Sequence, residues 1–317
     1  MRIYRSLDEV NTAPPKGRVA AIGVFDGVHR GHQAILSRAV ARGHEIGALV
    51  TAVTFHPHPE AVVRNAGAPP LLTTLERKAF LLAELGLDEM IVVTFDAEFS
   101  RLSPEAFCER VLSSRLAVKA VFVGENFRFG YKGEGTAVHL QAFGAVHGFE
   151  VYAIELARDD GDVISSTRIR ELLGNGQVEE AARLLGRPHR VEGPVVPGAG
   201  RGRTLSAPTA NVRVDGEVAL PAPGVYVSRS TVDGKLQADS VTSVGTNPTF
   251  GGQQITVETL LLDFSGNLYR RWLAIDFLQR IRDQKAFADA VELTKAIGQD
   301  IEIARQTHAR LRSGEPK

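Results

Sequence analysis

Between Arg18 and Arg42 the chain makes one transition that limits the folds open to it. An apolar, β-branched run at 18–25 stops at a turn marked by Gly23, Gly27 and Gly31. A helical pattern follows, with apolar residues at Ala34, Ile35, Ala39 and Val40. A strand that turns straight into a helix is half of a parallel crossover unit. The pattern then repeats. Residues 46–55 and 89–95 read as strands, 75–85 as a helix closing on Gly86, and 104–116 as a helix capped by Ser103 and opened by Pro104. Short strands at 120–124 and 149–154 complete the series. A doubly wound parallel α/β sheet is the expected architecture of this half.

The pattern changes further on. Residues 168–173 and 178–185 read as two short helices, and after Gly186-Arg187-Pro188 the chain turns rich in Gly, Pro, Val and Thr. Alternating segments at 224–229, 240–245 and 256–262 predict antiparallel strands, and 285–311 predicts a terminal helix. We expect a first domain over 1–186 and, over 187–317, a small antiparallel β-barrel or sandwich with a C-terminal helix.

Composition narrows the function. Lys plus Arg number 37 and Asp plus Glu 37, so the 317-residue chain lacks the basic surplus of a general nucleic-acid coat protein. Cys108 is the single cysteine, which excludes an internal disulfide and a cysteine-based zinc cage. The first residues lack an apolar signal-peptide core, and no apolar stretch reaches the ~20 residues that span a bilayer. A cytoplasmic protein with no nucleic-acid or membrane partner is expected, with the oligomeric state left open.

The strongest chemical signal is the segment from Gly23 through Phe25, Asp26, His29 and Gly31 to His32. It falls at the carboxyl end of a strand, where ligands bind in α/β sheets, and its helix start offers free N–H groups to phosphate. No Gly-Lys-Ser/Thr follows the glycines, so it is no P-loop. In its place stands His-x-Gly-His, two imidazoles three residues apart on one helix face, which could donate N–H groups to phosphate oxygens. A metal pair or plain surface histidines are the other readings, and a third ligand with zinc-like spacing is not nearby.

A second signal is Ser165-Ser166-Thr167-Arg168-Ile169-Arg170. One hydroxyl is a natural N-cap, while three hydroxyls and two arginines at a helix start also make an anion site. His56-Pro57-His58-Pro59 either lines a site mouth or merely ends a strand. After the strand at 120–124, Asn126 can donate and accept hydrogen bonds, and Phe127 and Phe129 can stack on a flat ring or belong to the core. Later in the chain, Glu258 can serve as a base or be an exposed strand residue. Pro208-Thr209-Ala210-Asn211 by itself passes for an ordinary turn. A Gly-rich loop at 198–202 could cover phosphates.

These motifs together resemble the prokaryotic bifunctional riboflavin kinase/FMN adenylyltransferases. The resemblance rests on 23–32, 54–59, 123–130 and 164–170 in the first half. In the second half it rests on Gly202-Arg203-Thr204-Leu205, Pro208-Thr209-Ala210-Asn211, Gly224-Val225-Tyr226, 245–251 and Val257-Glu258. It implies that the first domain transfers AMP from ATP to FMN, giving FAD and pyrophosphate, and that the second phosphorylates riboflavin with ATP. By the same resemblance His29 and His32 stabilise the ATP phosphates, and Gly23, Phe25, Asp26, Gly31, Asn126, Ser166, Thr167, Arg168 and Arg170 bind ATP. His56, Pro57 and Phe129 would lie near the flavin, Glu258 would be the kinase base, and Thr209 and Asn211 would hold Mg²⁺. Ala207 and Ser206 depart from the family's usual Phe and Gly, and Leu260 stands where many relatives have His. The alternatives are an adenylyltransferase with an impaired kinase domain and a non-enzymatic flavin-binding regulator.

Overall fold

The apolar runs of the first half become the centre of a parallel sheet in the computed structural model, which describes residues 1–10, 13–63, 67–197, 209–246 and 255–313. The chain divides into two units, Met1–Ser166 and Thr167–Lys317. The first begins with β1 (Arg2–Tyr4), β2 (Arg18–Ile22), α1 (Arg30–Ile46), β3 (Leu49–His56), α2 (Pro59–Val63), α3 (Leu75–Glu84) and β4 (Glu89–Thr94). It continues with α4 (Pro104–Ala106), which runs into a π-helical stretch Phe107–Arg115, then β5 (Val118–Gly124), β6 (Arg128–Phe129), β7 (Gly135–Thr136), α5 (Ala137–His147), β8 (Glu150–Ile154), β9 (Arg158–Asp159) and β10 (Asp162–Val163).

The sheet order is β1-β4-β3-β2-β5-β8, and each pairing is parallel. Every residue of β2 is buried, because helices cover both faces of the sheet. On one side β2 and β3 pack through Val19, Ala21 and Val50 against Leu36 and Ala39 of α1 and Leu82 of α3. On the other, Ala20, Ile22 and Val53 meet Phe107, Val111 and Leu112 of the π-helical stretch and Leu140 of α5. Both faces are wound, as predicted. At the start of the strands, buried Arg18 donates to Glu89 at 2.8 Å, and Glu89 also accepts from Thr51 at 2.9 Å and from Tyr4 at 3.3 Å. One buried carboxylate thus ties four adjacent strands together.

Residue 46 ends α1 instead of opening β3, because Gly47 at φ +65° closes the helix just after it. Inside α1, Gly43 lets the helix lie against β3: a Cβ there would stand 2.2 Å from Val50 Cγ2. Alanine is favoured over glycine in a helix by about 1 kcal/mol, but overpacking a buried contact costs about 1–3 kcal/mol. Gly43→Ala is therefore expected to destabilise the fold by up to about 2 kcal/mol. A urea denaturation midpoint that rises instead would show that α1 stands further from the sheet.

The remaining elements are α6 (Ser166–Gly174), α7 (Val178–Leu185), β11 (His189–Val196), β12 (Thr209–Val212), β13 (Gly224–Val232), β14 (Leu236–Thr246), β15 (Ile255–Leu261), β16 (Trp272–Arg282) and α8 (Ala290–Ser313). Six antiparallel strands close into a barrel in the order β11-β12-β15-β14-β13-β16. The expected barrel with its terminal helix is what forms. The Gly-rich loop expected at 198–202 and the motif at 202–205, with Ser206, Ala207 and Pro208, lie outside the described residues, as does 247–251 of the expected motif at 245–251.

Two sides of the barrel strands differ in chemistry. Val225, Val227, Val241, Leu260 and Leu262 pack with Ala304 and Ile301 of α8. The alternate residues turn to the barrel interior, where Ser228, Ser230, Ser240, Thr242 and Thr259 are fully buried. Their hydroxyls bond one another: Ser228 to Ser240 at 2.8 Å and to Thr242 at 2.6 Å, Ser230 to Ser240 at 2.9 Å, and Thr242 to Thr259 at 2.9 Å. A six-stranded barrel is narrow, so small side chains fill it, and mutual hydrogen bonding offsets the burial of their oxygens.

Candidate active sites

In the first unit the sheet order reverses direction beside β2, whose neighbours are β3 on one side and β5 on the other. All three strands are parallel, so their carboxyl ends share one edge. That edge gathers the turn after β2, His56 and Pro57 at the end of β3, and Asn126 after β5. Such a switch point is where α/β sheets bind ligands. His56 and Pro57 are both exposed, while His58 Nδ1 accepts from the Glu60 N–H at 3.2 Å, at the start of α2. Phe127 N–H closes a turn on the Gly124 carbonyl at 2.9 Å, which leaves Asn126 exposed at its corner.

The turn after β2 is held in an unusual conformation. Phe25 at φ +49° and Val28 at φ +40° flank Gly27 at φ +81°. Left-handed conformations at bulky residues cost free energy and persist where surrounding contacts impose them. Here Asp26 imposes them. Its carboxylate accepts from the Leu72 N–H at 2.9 Å and the Thr73 N–H at 3.2 Å, the Thr73 hydroxyl accepts from the Gly27 N–H at 3.2 Å, and Ser166 Oγ donates to the Asp26 carbonyl at 2.9 Å.

The histidines meet, by a different device from the one expected. His29 is not on the helix face. It is the N-cap of α1, extended at φ −71°, ψ 170°, and its Nδ1 accepts from the His32 N–H at 3.3 Å. The cap folds the two rings into a stack with centroids 3.6 Å apart and planes 18° apart. Gly31 makes room, since a Cβ there would stand 3.1 Å from the His29 ring. Burial, the adjacent His29 ring and the Lys78 ammonium hold the His32 imidazole well below the usual histidine range, so it is neutral at pH 7. His32 Nδ1 is buried and has no hydrogen-bond partner among the described residues. An orphaned polar atom of this kind fits a site that a ligand completes.

Three predicted contact residues turn inward instead. The Phe25 ring is buried and meets the His32 ring edge-on at 5.3 Å, so it supports the histidine. The Asp26 carboxylate faces 72–73, as described. Phe129 is buried, parallel to Phe127 at 5.7 Å and tilted against Phe107, so its ring belongs to the core. Gly23 also stands against Phe25, whose ring a Cβ would approach to 3.1 Å. On α6, Ser166, Arg168 and Arg170 are half-buried and Thr167 is exposed. Ser166 and Arg170, four apart, share a helix face.

The second unit holds a cavity of about 600 Å³ between the barrel wall and α8. Thr209, Glu258 and Leu260 line it from the strands, and Arg282, Phe287 and Asp300 are among those facing them. Thr209 and Asn211 lie two apart on β12, and Asn211 is paired directly with Glu258 on β15. All three therefore project from one face of the sheet. Three carboxylates line the cavity among the described residues. Asp300 is locked to Arg282 by two bonds of 3.0 and 2.8 Å, and Asp289 accepts from the Glu292 N–H in the first turn of α8 at 2.8 Å. Glu258, half-buried opposite Asn211, is the third. The threonine hydroxyl and asparagine amide oxygen are hard donors of the kind Mg²⁺ takes. The cavity's floor on α8 and the 282–287 segment were not foreseen, because Asp300 in a helix reads as a solvated charge until β16 supplies Arg282.

A sheet with a histidine pair at its switch point, and a closed barrel with a carboxylate and oxygen donors beside its own cavity, define a two-unit protein of parallel α/β fold carrying a second, barrel-based site. Family models of FAD synthetase and of riboflavin kinase match residues 11–168 and 185–308. The bifunctional riboflavin kinase/FMN adenylyltransferase of Escherichia coli (strain K12) is 36% identical over 96% of this chain and 97% of its own. That of Listeria monocytogenes is 38% identical over 93% of each chain. The chain belongs to the family of bifunctional riboflavin kinase/FMN adenylyltransferases. A crystal structure described as a macrolide-efflux protein from Streptococcus pneumoniae is also similar, with a TM-score of 0.87 and 28% identity over 96% of this chain and 98% of that one. Among the described residues no helix here is long and apolar enough to cross a membrane.

Proposed function

We propose that the first unit transfers AMP from ATP to FMN and that the second phosphorylates riboflavin with ATP, in the cytoplasm. The observation that carries this reading is that each unit holds its own constellation: a stacked histidine pair in one, and Glu258 with Thr209 and Asn211 in the other. By the pattern of the sequence the first activity is assigned to 1–186 and the second to 187–317, while the compact units themselves divide after Ser166.

In AMP transfer a phosphate oxygen of FMN bonds to the α-phosphorus of ATP, the bond to the β-phosphate oxygen breaks, and pyrophosphate leaves. Charge gathers on the phosphate oxygens as this happens. His29, whose Nδ1 is an acceptor, carries its proton on Nε2 and donates it as a hydrogen bond, with His32 beside it. Gly23, Gly31 and the backbone at Phe25 and Asp26 form the cradle. Asn126 and Ser166 contact ATP, and His56 and Pro57 border the flavin.

In the kinase reaction Glu258 takes the proton of the ribityl hydroxyl, whose oxygen bonds to the γ-phosphorus as ADP leaves. Thr209 and Asn211 would hold Mg²⁺, which neutralises and aligns the ATP phosphates. The test is to incubate the chain with riboflavin, ATP and Mg²⁺ and resolve the flavins chromatographically over time. FMN appearing first and FAD after it is expected. FAD from supplied FMN but nothing from riboflavin would leave only the first activity, and no product from either flavin would overturn the reading.

A further inference from the structure

Lys78 lies on α3, in a stretch of sequence, Leu75-Glu76-Arg77-Lys78, that looks like a solvated helix face. It is nonetheless buried, at 5% exposure. Its Nζ donates to the Val24 carbonyl at 2.8 Å and to Thr54 Oγ1 at 3.3 Å, while the Thr54 hydroxyl itself donates to the same Val24 carbonyl at 2.8 Å. Val24 is the residue just before the turn in which Phe25, Gly27 and Val28 take left-handed conformations. The ammonium therefore fastens that turn to the end of β3.

We propose that Lys78 is a positioning residue of the AMP-transfer site, holding the 23–28 turn against β3 so that the His29–His32 stack it carries keeps its place. This rests on the AMP-transfer reading of the first unit. A lysine is seldom buried unless something is gained from its charge. Asp26 is the carboxylate facing it from the turn, and its partly offsetting charge leaves the ammonium's pKa pushed down to about 8 by burial. At pH 7 it is thus still charged. His32 feels its charge from the start of α1, and Thr54 faces it from β3. Arg77, its neighbour on α3, stacks its guanidinium over Phe80. The ammonium is one of the causes that keep His32 neutral, after burial and the His29 ring. Lys78 therefore acts on the pair twice, by fixing the turn that leads to it and by discouraging a proton on its buried member.

The experiment measures both activities and the His32 titration by NMR in Lys78→Met and Lys78→Arg. In Lys78→Met the turnover number for FMN adenylylation is expected to fall about ten-fold, as small misplacements of a catalytic group do. Riboflavin phosphorylation, read in the same sample, stays within about two-fold of that of the unsubstituted chain because the barrel unit is untouched. The His32 midpoint rises towards the ordinary histidine value, and Lys78→Arg, which keeps the charge, returns it. An unchanged adenylylation rate in Lys78→Met overturns the proposal, and so does a lowered rate with an unmoved His32 midpoint, which a merely structural role would give. Should Lys78→Met fail to fold, Thr54→Val removes the hydroxyl shared by Lys78 and Val24 and is expected to slow adenylylation several-fold; an unchanged rate there also overturns it. An unsubstituted chain that makes no FAD from FMN overturns the parent reading with it, whereas normal FAD synthesis beside an unaffected Lys78→Met overturns this one alone.

Discussion

His32→Ala loses about 10²–10³-fold in the rate of FAD formation from FMN, and riboflavin phosphorylation in the same preparation is unchanged within about two-fold. The magnitude follows from what the ring does. A preorganised N–H donor at developing phosphate charge is worth about 3–4 kcal/mol in a site of low dielectric. His29→Ala is expected to lose at least as much, since it removes one donor and also the cap that sets His32 in place. An N-cap alone is worth about 1 kcal/mol. The measurement is a discontinuous flavin chromatography assay with FMN supplied, run beside one with riboflavin. If either alanine variant, folded and soluble, lost both activities together, the assignment of two separate sites would fail.

Glu258→Ala gives the reverse pattern. FMN formation falls by about 10²–10⁴-fold, the usual contribution of a positioned general base, while supplied FMN still becomes FAD. Glu258→Gln keeps the shape and the hydrogen-bonding capacity and loses the basicity, so it is expected to be nearly as slow as the alanine variant. A glutamine variant that retained most of the activity would mean the carboxylate positions the ribityl chain without accepting its proton. The other carboxylates of the cavity are poor substitutes: Asp300 is held by Arg282 in two bonds, and Asp289 is engaged at the start of α8.

Much of the sheet could be read from the chain because strands buried on both faces leave unbroken apolar runs, such as 18–25 and 89–95. The helix at Ala137–His147 escaped that reading: Val138, Leu140, Phe143 and Val146 surround it without a polar face, so its period is faint. Strand β16 was missed for the opposite reason. Asp276, Arg280 and Arg282 interrupt its apolar residues, and only the fold supplies their partners in Arg190, Asp283 and Asp300. In the first site the histidines were legible from their place between strand and helix, whereas their stacking was not, since a cap and a helix face give the same spacing. Lys78 was illegible altogether, because its burial depends on the 23–28 turn folding over α3.

The hydroxyls inside the barrel bear on how this chain can change over generations. Ser228 serves both Ser240 and Thr242, and each of those serves a further hydroxyl. Exchanging one of them for an aliphatic residue strands its neighbours' oxygens in a dry interior, at about 1–3 kcal/mol for each group left unpaired. Exchanging several at once for aliphatic side chains of matching volume carries no such cost. Descent through single steps is therefore blocked where descent through a joint replacement is open, and positions 228, 230, 240, 242 and 259 are expected to be inherited as a set.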